Sequence, residues 1–61
     1  MEANFEILAL PTTQFKREAG EDGLVSDSAM DCHGRTETRR EANERAEALR
    51  TQGYEVRVVR V

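Results

Sequence analysis

Apolar residues alternate near both ends of the chain and follow a helical period only between them. Phe5-Glu6-Ile7-Leu8-Ala9-Leu10 reads as a strand, closed by Pro11, which has no amide to give to a ladder. Alternation places Phe5, Ile7 and Ala9 on one face and Glu6, Leu8 and Leu10 on the other. Further on, Ala42, Ala46 and Leu49 recur at i, i+4 and i+7, which is helical spacing. Thr38-Arg39-Arg40-Glu41 fits a capping box at the start of that helix. The helix is predicted to run to about Gln52, with Gly53 as a left-handed stop and Glu41 and Arg45 in the favourable i, i+4 orientation. Tyr54 to Val61 then reads as a last strand, with Tyr54, Val56 and Val58 turned toward the helix and Glu55 and Arg57 away from it.

The middle of the chain carries a weaker pattern. Thr12 to Asp22 holds Phe15 among polar residues, and Glu18 to Gly23 has the composition of a turn, so a poorly ordered loop is expected around 12–23. Leu24-Val25 and Ala29-Met30 suggest a second strand within 24–32, weakened by Asp27 and Asp31. The expected fold is one α+β domain over 1–61, with one helix packed on a small, mainly antiparallel three-stranded sheet in the order ββαβ. Two of the three residues in the helix stripe are alanine, so the helix must approach the sheet closely. One helix covers one face, which leaves Leu8, Leu10, Val59 and Val61 on a second face without an evident cover. Either the 12–35 segment folds over them, with Phe15 as its candidate residue, or a partner or a second copy of the chain does.

Composition narrows the functional class. Of 61 residues, 23 are apolar and seven of those are alanine, too little to build a cleft, a cofactor fold and a core together. A binding module is expected, with no catalytic residues and no cofactor. Charged residues make up 34% of the chain and mean hydropathy is −0.71, values of a solvated surface. No apolar run approaches the ~18–20 residues of a membrane span, so no membrane partner is expected. The opening Met1-Glu2-Ala3-Asn4 lacks the basic and apolar regions of a secretion signal. A single cysteine, Cys32, cannot close an internal disulfide. These features lead us to expect a reducing, cytoplasmic setting. The net charge of −3 hides an asymmetry: residues 1–34 carry seven acids against two bases, whereas residues 35–61 carry seven arginines against five glutamates. Opposite potentials of this kind orient encounters with a charged partner.

Candidate chemistry is sparse. Asp31-Cys32-His33 brings nucleophile, base and acid types together, but neighbours on a strand point in different directions, whereas a nucleophile and its base must meet. One Cys and one His beside Asp27 and Asp31 lack the repeated spacing of a zinc site, so no metal is expected. Gly20, Gly23 and Gly34 fit no phosphate-loop arrangement. Arg35, Arg39 and Arg40 gather near the helix start, where they oppose the helix dipole and so suggest an anionic partner such as nucleic acid. Interleaved glutamates, a pI near 5.0 and few stacking aromatics argue against that use. The acids Glu18, Glu21, Asp22, Asp27 and Asp31 form the opposite feature, suited to a basic groove on another protein.

The segment 36–61, with Thr38-x-x-Glu41-Ala42 opening an alanine-rich helix and Gly53-Tyr54-Glu55-Val56-Arg57-Val58-Val59 following it, resembles the helix-to-strand half of very small phage-encoded inhibitors. These include the T7 phage inhibitor of host RNA polymerase and small anti-CRISPR proteins. The resemblance covers under half of the chain, and its pattern is shared by many small α+β folds. It implies a non-enzymatic protein that blocks a nucleic-acid-processing complex of a bacterial host cell by protein–protein contact. Contacts would come from the acidic set or from the apolar face of Leu8, Leu10, Val59 and Val61, the latter also suiting a homodimer. The alternative is a small nucleic-acid-associated regulator using Arg35, Arg39 and Arg40.

Overall fold

A computed structural model describes residues 4–61, and the reading of the first three positions lies outside them. Strand β1 (Phe5–Pro11) runs directly into helix α1 (Thr12–Ala19). A turn through Gly20–Gly23 and an extended stretch with a 3₁₀ turn at Asp27–Ala29 lead to β2 (Asp31–Thr36). Helix α2 (Arg39–Thr51) and strand β3 (Tyr54–Arg60) complete the chain. The sheet order is β2-β1-β3, with β1 antiparallel to both neighbours. The α+β fold and its antiparallel three-stranded sheet are as expected from the apolar pattern.

Because β2 and β3 flank β1 and run parallel to each other, their connection must cross the sheet. Helix α2 makes that crossing over one face. Its buried Ala42 packs with Phe5 and Ile7, while half-buried Leu49, Val56 and Val58 close the margin. Ala46 is also buried on the inner side of the helix. Thr38 caps α2 as the sequence predicts: its Oγ1 accepts the Glu41 amide at 3.2 Å. At the other end Gly53 takes a positive φ of 93°, the conformation in which a side chain would be strained. The ion pairs along the helix are Arg40–Glu44 and Glu47–Arg50, not the anticipated Glu41–Arg45.

The second face is where the structure departs from the ββαβ outline. Residues 12–19 form a helix instead of the start of a loop, and the second strand lies at 31–36, not within 24–32. Phe15 and Ala19, one helical turn apart on α1, pack against Leu8 and Leu10. The chain from Gly20 to Met30, which we call the strap, adds two plugs to the same cluster, Val25 and Met30. Thr12 fixes the start of α1 by donating both its amide and its hydroxyl to the Gly53 carbonyl, each at 2.9 Å. Pro11, as the capping residue of α1, ends one element and begins the next.

Strand β2 is held by its backbone. Its side chains are mostly exposed, Thr36 being the buried exception, with its hydroxyl donated to the Thr38 carbonyl at 2.9 Å. Its pairing with β1 shifts between Ile7–Gly34 and Leu8–Cys32, so His33 is an extra residue in a β-bulge. Gly34 has φ 143°, and a Cβ there would lie 3.0 Å from the Arg45 guanidinium on α2.

Candidate interaction surfaces

The proposed apolar face is mostly core. Leu8 and Leu10 are 4% and 1% exposed under α1 and the strap, and Val59 packs beside them. Leu8 and Leu10 are therefore covered within the chain and offer no surface to a partner, and Val59 is partly covered. The physical reason is that α1 and the strap provide the cover that one helix lacks. Only Val61 keeps the predicted exposure, at 57%.

The five acids are divided by the sheet. Glu18 at the end of α1 and Asp22 in the turn line an open groove with Leu24, Val25, Ser26, Ala29 and Arg57. Asp22 also accepts the Leu24 amide at 3.1 Å, which shapes the turn. Asp27 sits beside the groove, where its carboxylate is bound by Arg57, and the same guanidinium nitrogen donates to the Val25 carbonyl at 2.8 Å. Glu21 is exposed on the adjoining turn. Asp31 does not join them: it pairs with Ala9 across the β1–β2 ladder, which puts it on the α2 side.

One residue that the pattern did not single out stands in this acidic layer. Leu24 is 73% exposed, whereas its neighbour Val25 is buried. Two adjacent apolar residues in extended chain face opposite ways, so burial of Val25 turns Leu24 outward. That adjacency was the available signal, and its reading depended on knowing that the strap lies flat over the sheet.

The arginines are likewise separated. Arg35 pairs with Glu6 at 3.0 Å on the strap side of the sheet. Arg39 lies over the Phe5 ring at 5.2 Å, on the α2 side. Arg40 reaches Glu44 at 3.7 Å along the helix. Each has an intramolecular partner, so the three do not converge on a single anion site.

Cys32 and His33 sit at the bulge, and their side chains contact different groups. The Cys32 thiol lies 3.7 Å from the Gly34 carbonyl, and the His33 ring meets Tyr54 edge-on at 5.4 Å. Among the described residues there is no cluster of three metal-ligating side chains. No helix among them is long and apolar enough to cross a membrane. No family model, curated protein or solved structure matches the chain.

Proposed function

We propose that this protein is a non-enzymatic protein–protein interaction module that acts through its strap layer, as an inhibitor of the phage type blocking a host nucleic-acid-processing complex. The observation that carries this reading is Leu24, an exposed apolar side chain in a groove with Glu18 and Asp22, next to Glu21. An apolar centre inside a polar rim is the usual anatomy of a protein–protein interface. The rim is acidic, so the partner surface would be basic with a small apolar pocket, as in a groove that ordinarily takes nucleic acid. The resemblance of 36–61 to small phage inhibitors agrees with this choice of partner. The alternative, direct nucleic-acid contact through Arg35, Arg39 and Arg40, is less well supported because their side chains already have partners on different parts of the fold.

Affinity capture from bacterial lysate tests the proposal when run with wild type, Leu24→Asp and the Glu18→Lys/Asp22→Lys pair. A nucleic-acid-processing complex held by wild type and reduced at least tenfold by both variants is expected, which corresponds to about 1.4 kcal/mol or more. Equal retention by all three proteins would remove the strap layer from the account. Salt-dependent binding of DNA or RNA, lost on Arg39→Ala/Arg40→Ala, would favour the alternative.

A further inference from the structure

The two edges of the sheet are built differently. On β2, the bulge at His33 interrupts the ladder, and bulges are a common means of blunting an edge. On β3, the pairing with β1 is unbroken from Tyr54 to Arg60, and the strand order among the described residues leaves its other side unpaired. The amide of Val61 bonds to Asn4 and that of Thr12 to Gly53, which sets the phase of the β1–β3 ladder. Odd-numbered residues of β3 turn their backbone groups to β1, so Tyr54, Val56 and Val58 present theirs outward.

We propose that this edge pairs with the same edge of a second copy of the chain, antiparallel and centred on Val56. Two-fold pairing of one strand with itself must match residues from the same face, which restricts the registers. Centred on Val56, Tyr54 lies opposite Val58 of the second copy and Val56 opposite its own equivalent. These apolar rungs fall where the outward backbone groups exchange hydrogen bonds. Glu55 then lies opposite Arg57 of the second copy, and Arg57 opposite its Glu55. Those charged rungs occupy the non-hydrogen-bonded positions, where opposed side chains approach most closely.

Neighbouring registers lose this match. Centring on Arg57 sets that cation against itself, and centring on Val58 places Glu55 against Val61 and Arg57 against Val59. The segment Tyr54-Glu55-Val56-Arg57-Val58 is thus complementary to itself in one register. Arg57 uses one terminal nitrogen for both Val25 and Asp27, leaving other N–H groups for the carboxylate of the second copy. The product is a continuous six-stranded sheet with both α2 helices on one face. Arg57 also lines the Leu24 groove, whereas Glu55 and Val56 do not, so variants at those two positions test the pairing apart from the function proposed above.

Sedimentation equilibrium over a micromolar to millimolar range, with circular dichroism as a check on folding, tests the pairing. Wild type should approach twice its 6.9 kDa chain mass. Glu55→Arg, which sets like charges against each other in both charged rungs, should weaken the dimer about tenfold or more. Val56→Pro removes an outward donor while leaving the bonds to β1, and should give a folded monomer. In native mass spectrometry, Glu55→Arg mixed with Arg57→Glu should form the mixed dimer in preference to either self-pair. If Arg57→Glu fails to fold because it sets a second carboxylate beside Asp27, Glu55→Arg and Val56→Pro decide the matter. A folded wild-type monomer throughout the range would overturn the proposal. So would a dimer that neither Glu55→Arg nor Val56→Pro weakens.

Discussion

The two faces of the sheet are covered by different means. Over Phe5 and Ile7 lies α2, a capped 13-residue helix whose alanines bring regular backbone close to the strands. Over Leu8 and Leu10 lie an eight-residue helix with no buried residue and a strap that inserts Val25 and Met30 singly from irregular chain. Backbone bonds within the α2 layer are those of a continuous helix. In the strap they are few: three local ones, Leu24 to the Asp22 side chain, Ala29 to Ser26 and Met30 to Asp27, and one from Arg57 reaching across to Val25. Stability in a small domain is distributed unevenly along such lines, with the least cross-bonded segment opening first. Burial alone does not make two layers equivalent. The surface proposed for binding lies on the layer with the lower expected cost of opening.

The largest effects should come from β1, which both layers share. Ile7 and Leu10 are fully buried on opposite faces of that strand, and Ile7→Ala or Leu10→Ala should each cost about 2–5 kcal/mol in chemical denaturation. Both losses should be global, since either cavity lies against the central strand. A Leu10→Ala protein that unfolds as wild type while Ile7→Ala is crippled would show that the strap face adds little to the core.

Next in size is Met30→Ala, at the lower end of the range for such truncations, about 2 kcal/mol. The two layers should feel this loss unequally. Amide exchange should accelerate across the strap much more than in α2. Uniform acceleration along the chain would mean that the two layers open together. A smaller loss, about 1 kcal/mol, is expected for Thr38→Ala, which leaves the Glu41 amide without its cap. Its effect should begin at the first turn of α2 and leave strap exchange nearly unchanged.

How far this fold is legible in its sequence follows the same division. Periodicity reveals β1, α2 and β3, because each carries several apolar side chains on a defined face. The Thr38 cap and the Gly53 stop are local chemistry and are equally plain. Helix α1 is hidden because eight residues with Phe15 and Ala19 as the apolar members cannot display a period. Strand β2 is hidden for another reason: Asp31-Cys32-His33-Gly34-Arg35-Thr36 is held by main-chain pairing at a sheet edge, where side chains need not alternate. The pattern does flag Leu8, Leu10 and Val59 as residues needing cover, but cannot say that the strap provides it. The acidic residues are recognisable as a class, whereas the division between Glu18, Asp22 and Asp27 on one side and Asp31 on the other depends on the β1–β2 register.

Arg57→Met should have the smallest effect on overall stability and the most local one. The substitution keeps an aliphatic stem on the strap side of β3 while removing the donors to Val25 and Asp27. The guanidinium and its carboxylate partner are partly solvent-exposed, so screening limits the global loss to less than about 1 kcal/mol. The Val25 carbonyl loses its partner in the same step, which removes the cross-link between strap and sheet. Amides from Val25 to Met30 should therefore exchange roughly fivefold faster, the factor matching about 1 kcal/mol of local opening, with little change in α2 or in Tm. Asp27→Asn, which retains an acceptor and discards the charge, should fall between wild type and Arg57→Met. If Arg57→Met lowers Tm sharply and exposes α2 together with the strap, the second face is an integral half of the core, and the contrast between the two covers fails.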